Sequence, residues 1–129
     1  MLDVMIVEDE VFLQELYTEV LVQHGDRVLA TAADGESAVK SFRGISPRPE
    51  LVLMDQRMPG KDGLEAMRDL LAIDPGVQVV FLTADNSVAK AAMEGGAAGY
   101  ISKPFKMEAL IAAVDHVTAR LGSMRARGA

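Results

Sequence analysis

Five short, continuous apolar runs, each followed by a longer segment of helical periodicity, constrain this chain more than any other feature. The runs cover roughly 2–7, 28–32, 51–54, 77–82 and 99–102 and are rich in Val, Ile, Leu and Met. Continuous runs, unlike alternating ones, suit strands covered on both faces. Between them Phe12, Leu16 and Val20 recur at i, i+4, i+8, and Leu64, Met67 and Leu71 at i, i+3, i+7. Leu110, Ile111, Val114, Val117 and Leu121 form the clearest amphipathic stripe. Turn residues fall in the gaps, at Asp34-Gly35, Pro59-Gly60, Asp62-Gly63, Pro75-Gly76 and Gly95-Gly96. Strands alternating with helices predict an α/β fold, a doubly wound five-stranded parallel sheet with five helices. The segment around 86–95 has only Val88 and Met93 as sizeable apolar anchors, so it is expected to be the most mobile helix. One domain is expected over 1–121, with 122–129 as a frayed tail or the start of a linker.

In an open parallel sheet, ligands bind beyond the carboxyl ends of the strands. The polar residues just past each run are therefore informative. Glu8 and Asp9 follow the first run, Asp55 the third, Thr83 the fourth and Lys103 the fifth. The second run ends in Thr31-Ala32-Ala33, which offers little. Each polar residue alone has an ordinary explanation. Acids favour the start of a helix, Asp serves turns, Thr caps helices although Asp85 and Asn86 are better placed to do so, and Lys is usually solvated. Together they demand more. Three carboxylates converging on one small space repel, and one must take up a proton unless a cation is present. A hard divalent ion such as Mg²⁺, with oxygen ligands and waters, resolves the conflict.

These residues resemble the receiver domain of two-component response regulators over nearly the whole chain. The resemblance rests on Glu8-Asp9, the Asp55 of "LVLMDQRMPGKDG", the Thr83-Ala84 pair and Lys103 in "KPF". It implies the flavodoxin-like strand order 2-1-3-4-5. It also implies that Asp55 is the phosphoacceptor, drawing a phosphoryl group from the phosphohistidine of a sensor histidine kinase or phosphotransfer protein. Glu8, Asp9, Asp55 and the backbone carbonyl of Arg57 would hold Mg²⁺, with Mn²⁺ as a substitute. Lys103, the Thr83 hydroxyl and the Ala84 N–H would bind phosphoryl oxygens. Thr83 and Tyr100 would form a switch that alters the face made by the fourth helix, fifth strand and fifth helix, where a downstream protein effector binds. The Lys103-Pro104 peptide is expected to be cis, again by resemblance, since most X–Pro bonds are trans. On this reading the protein is a signalling phosphoacceptor and not an enzyme in the ordinary sense. Its output, as a stand-alone regulator or as part of a longer transcription factor or enzyme, is left open.

Arg57, two residues past Asp55, and Asp85, two past Thr83, are both expected at the mouth of the site. An ion pair between them would cover the phosphoryl group and slow its hydrolysis; the alternative is a surface pair of small energy. His24 and His116 lack ligand spacing, and His24 is expected merely to suit the end of its helix.

Composition narrows the remaining classes. A net charge of -6 opposes nucleic-acid binding by this domain. No run reaches the roughly 20 apolar residues of a membrane span. No basic leader precedes an apolar stretch and no cysteine is present, so a cytoplasmic protein is expected. The last helical segment carries few of the charges that a resemblance to winged-helix regulators would imply for their usual dimer, so a monomer, or a weak phosphorylation-dependent dimer, is expected. A haloacid-dehalogenase-type phosphatase would carry its nucleophile after the first strand, not the third. A flavodoxin-like flavin binder would need hydroxyls where Glu8 and Asp9 stand. A receiver-shaped module that takes no phosphate is disfavoured by the complete set of five site residues.

Overall fold

A computed structural model describes residues 1–128. Its elements, in chain order, are β1 (Asp3–Val7), α1 (Val11–Gln23), β2 (Arg27–Ala32), α2 (Gly35–Gly44), β3 (Leu51–Asp55), α3 (Gly63–Ile73), β4 (Gln78–Thr83), α4 (Asn86–Glu94), β5 (Gly99–Ser102) and α5 (Met107–Gly128). The five strands are all parallel and lie in the order β2-β1-β3-β4-β5, as the resemblance implied. Because they are parallel, every carboxyl end emerges at the same edge. The order reverses between β1 and β3, so those two central strands flank the switch point at which such sheets bind ligands.

Alternation along each strand divides the core in two. Met5, Val7, Val52, Met54, Val79 and Phe81 face α2, α3 and α4, meeting Phe42, Met67, Leu70 and Ala92. Val4, Ile6, Leu51, Leu53, Val80 and Leu82 face α1 and α5, meeting Tyr17, Leu21, Leu110, Val114 and Leu121. Burial on both faces explains why the runs are continuous. Asp34, Asp62 and Asp85 cap α2, α3 and α4, with a capping box at Asp62 and Glu65. Among the described residues, no helix is long and apolar enough to cross a membrane.

Three expectations are corrected. In α1 the buried positions are Tyr17 and Leu21, with Leu13 packed beside them; Val20 of the expected Phe12-Leu16-Val20 stripe also packs there, but Phe12 is 72% exposed. The helix is apolar on more than one side, so periodicity alone did not select its face. In α4 Val88 packs against the core as expected, but Met93 is 44% exposed and the small Ala89 and Ala92 are buried instead. The third correction concerns the expected tail, because α5 runs on through 122–128 (Ala129 lies outside the described residues). Arg125 pairs there with Glu50, whose other oxygen accepts the Asp3 N–H, so the extension is tied to the sheet.

His24 does more than suit its helix end. It closes α1, with Nδ1 2.7 Å from Asp26 and Nε2 3.0 Å from Asp115 of α5. The hydrogen bond to Asp26 and the two carboxylate charges raise its pKa above the usual value.

Candidate functional site

Four strand ends deliver five residues to one point. Asp55 is the last residue of β3, Thr83 the last of β4, and Lys103 directly follows β5. Glu8 and Asp9 lie in the turn from β1 to α1. One carboxylate oxygen each from Glu8, Asp9 and Asp55 lies within 4.8 Å of the others. The Lys103 Nζ donates to Asp55 Oδ1 at 3.2 Å and stands 4.0 Å from Glu8 Oε1. These residues, with Arg57 and Asp85, line a cleft of about 750 Å³.

The local backbone explains how the carboxylates are held. The Glu8 N–H extends the β1–β2 ladder by donating to the Ala32 carbonyl at 2.9 Å. Glu8 itself is buried, and its Oε2 accepts the Glu10 N–H at 3.2 Å. Its Oε1 is buried without any hydrogen-bond partner. Past Asp55, the loop folds back so tightly that a Cβ on Gly63 would lie 2.5 Å from the Asp55 carbonyl oxygen. Only glycine fits there without displacing the backbone that carries Asp55. The Gln56 side chain fastens the same loop by accepting the Leu64 N–H at 2.9 Å. On the far side, the Lys103 N–H donates to the Thr83 carbonyl at 3.0 Å and joins the β4 and β5 ends. The Lys103-Pro104 peptide that follows is cis, as expected; Ser46-Pro47, where no cis bond was expected, is cis as well.

Electrostatics point the same way. Burial, contact with the Asp9 carboxyl and the Asp55 charge push the Glu8 pKa up to about 7, while the Glu10 N–H and Lys103 pull it back. Burial and the charges of Glu8 and Asp55 also push the Tyr17 hydroxyl up to about 12. One ammonium thus faces three carboxylates, and a buried carboxylate oxygen lacks a partner. An oxygen-ligated divalent cation fits this donor set, because it would satisfy Glu8 Oε1 and remove the repulsion.

Thr83 is buried, and its hydroxyl oxygen accepts the Asp85 N–H at 3.1 Å. Ala84 lines the cleft. Tyr100 is turned outward and 49% exposed. Arg57 and Asp85 share the cleft mouth, but they do not make the direct ion pair expected of them. The Asp85 carboxylate instead accepts the Ser87 N–H and hydroxyl and the Val88 N–H. Those bonds lower its pKa, with a smaller contribution from the Arg57 charge. Gln14, Gln56 and Gly63 shape the site without having been singled out. Gly63 left a signal in Asp62-Gly63 before a helix. Gln14 left only a polar residue within an apolar helix.

Comparison with known proteins agrees with this geometry. The family model described as the response regulator receiver domain matches residues 4–115. Protein CcdB of Bacillus subtilis is 36% identical over 116 residues, covering 88% of this chain and 95% of that protein. The chemotaxis protein CheY of the same organism is 32% identical over 114 residues, covering 87% and 93%. Among solved structures, the CheX–CheY–BeF3–Mg²⁺ complex from Borrelia burgdorferi superposes with a TM-score of 0.85 at 29% identity, covering 90% of this chain and 88% of that one. With 112 of 129 residues inside the family model and the acidic cluster at the ends of β1 and β3, this chain belongs to the response regulator receiver domain family.

Proposed function

We propose that the chain accepts a phosphoryl group on Asp55 from the phosphohistidine of a sensor histidine kinase or phosphotransfer protein, in the cytoplasm. One observation carries the reading. The Asp55 carboxylate sits in an acidic cluster with an orphaned Glu8 oxygen, 3.2 Å from the only ammonium in the cleft among the described residues. A carboxylate oxygen of Asp55 attacks phosphorus, the P–N bond to the donor imidazole breaks as the P–O bond forms, and the imidazole leaves with its electron pair. Such transfers require alignment and charge neutralisation more than covalent chemistry. Glu8, Asp9, Asp55 and the Arg57 carbonyl would hold Mg²⁺, or Mn²⁺ in its place, which would supply charge neutralisation for the transfer. Lys103 orients Asp55 beforehand and pairs with a phosphoryl oxygen afterwards. The Thr83 hydroxyl and the Ala84 N–H take the others.

The same contacts supply a switch. To reach the phosphoryl group, the Thr83 hydroxyl gives up the Asp85 N–H, and the space it vacates admits Tyr100. The outward Tyr100 suits the resting state. Its inward turn would reshape the α4–β5–α5 face for a protein effector. Arg57 and Asp85 would tune hydrolysis from the mouth of the cleft by restricting water. The neighbour solved with Mg²⁺ and BeF3 supports the metal assignment by analogy.

The test is incubation with Mg²⁺ and acetyl phosphate, followed by intact mass. A gain of one phosphoryl group by the wild type and none by Asp55→Asn is expected. Equal labelling of both proteins, or of neither, would overturn the reading.

A further inference from the structure

Glu8 has four polar groups, and the turn from β1 to α1 commits three of them. Its N–H goes to Ala32 and its Oε2 to the Glu10 N–H. Its backbone carbonyl accepts from Gln14 Nε2 at 2.5 Å. Only Oε1 remains, buried and facing Lys103 across the cleft. Glu8 therefore has one oxygen to offer an ion, and its direction is set by how firmly the turn is held.

Gln14 does much of that holding. Its amide nitrogen also comes within 3.5 Å of the Ala32 carbonyl, so one side chain spans the ends of β1 and β2. Both partners are carbonyl oxygens, so the amide must present its NH₂ to them; the reverse orientation would set oxygen against oxygen. The need for this brace is visible nearby. Glu10, the residue before α1, makes no side-chain cap, unlike Asp34, Asp62 and Asp85 at the next three helices. The β1–α1 turn is thus closed by Glu8 Oε2 from one side and by Gln14 from the other.

We infer that Gln14 is a positioning residue for the acidic centre: by holding the Glu8 carbonyl against the end of β2, it aims Glu8 Oε1 into the cleft. The inference rests on the divalent-cation reading of that centre. Removing the donor lets the Glu8–Asp9 peptide rotate and scatters Oε1, while Asp55, on a different strand, is untouched. Groups that orient metal ligands in this way typically alter affinity by roughly tenfold to a hundredfold.

Gln14→Met keeps the length and apolar stem of the side chain and removes the carboxamide, whose NH₂ makes both contacts. Thr118→Val is the control. It deletes one side-chain hydrogen bond, from Oγ1 to the Val114 carbonyl, on α5 away from the cleft. Mg²⁺ would be titrated into the ¹⁵N-labelled, unphosphorylated proteins, with the Asp9, Glu10 and Asp55 amides followed by NMR and urea unfolding measured alongside. Gln14→Met is expected to weaken Mg²⁺ binding by about tenfold or more at a stability close to that of Thr118→Val, whose Mg²⁺ affinity matches the wild type. Gln14→Ala, which also lacks the donor, is expected to show the same loss. If both Gln14 variants bind Mg²⁺ as the wild type does, this inference falls and the metal reading stands. If the wild type itself shows no Mg²⁺-dependent shifts, both fall together.

Discussion

Replacing Glu8 with Gln should stabilise the ion-free protein above neutral pH while weakening the proposed divalent-cation site. Folding raises the Glu8 pKa from 4.5 to about 7, chiefly by burial. A carboxyl raised in this way binds its proton more tightly in the folded state, so stability falls as pH rises through the window from 4.5 to about 7. At 1.36 kcal/mol per unit, keeping Glu8 ionised without a cation costs about 3 kcal/mol, which the open cleft mouth screens to about 2 kcal/mol. Glu8→Gln keeps an oxygen to accept the Glu10 N–H and removes the charge. In EDTA at pH 8, its urea midpoint should exceed that of the wild type by about 1 M for a slope near 2 kcal/mol/M. The advantage should vanish below pH 4.5, the lower bound of that window, where Glu8 is protonated in both states. Taking the difference between the two proteins cancels other titrating groups, His24 among them. Mg²⁺ should invert the ranking. At a hundred times its dissociation constant it should add about 2.7 kcal/mol to the wild type, and far less to the variant, which lacks one of the proposed ligands. A variant less stable than the wild type at pH 8 in EDTA would refute the reasoning, since Glu8 would then be stabilising as a charge.

Four further outcomes are expected. Lys103→Met should lower phosphoryl uptake from acetyl phosphate by roughly 10²–10³-fold, measured by intact mass over time, at a stability cost under about 1 kcal/mol because the Lys103 side chain is 31% exposed. Arg57→Ala should shorten the lifetime of the phosphorylated protein; an unchanged decay rate would leave Arg57 without a shielding role. His24→Gln should be less stable than the wild type at low pH. The His24 pKa is raised, so its contribution is complete below 6.5 and lost as pH rises through the folded value, and urea unfolding across that range would show the gap closing. Phe81→Ala, which empties a fully buried core position, should cost about 3–5 kcal/mol in the same assay.

The strands were readable from the sequence because burial on both faces leaves an unbroken apolar run. The β3 run ended one residue short of Asp55, the residue that leaves the core for the cleft. The site was readable for the same reason. Once strand ends are known, parallel topology places Glu8, Asp9, Asp55, Thr83 and Lys103 at one edge. Helix faces were harder. In α1, Phe12 and Leu13 are both apolar, and the direction in which the turn after Glu8 leaves the sheet decides which of them packs. In α4 the buried residues are alanines, which leave little trace in a search for large side chains. Gln14 was illegible because its partners are backbone carbonyls, whose positions exist only once β1 and β2 are paired. The Arg57–Asp85 pair failed for a local reason. Asp85 lies directly before α4, and the N–H groups there hold its carboxylate more closely than a guanidinium across the cleft.

The proposed function requires Asp55 to carry an acyl phosphate formed with the help of a divalent cation. Borohydride reduces an acyl phosphate to an alcohol, so tritiated borohydride after acetyl phosphate treatment would mark the acceptor, and peptide mapping would locate it. Tritium in a homoserine at position 55, dependent on Mg²⁺ and abolished by EDTA, is the predicted result. Label at another carboxylate, or equal label at position 55 with the cation chelated, would contradict the account.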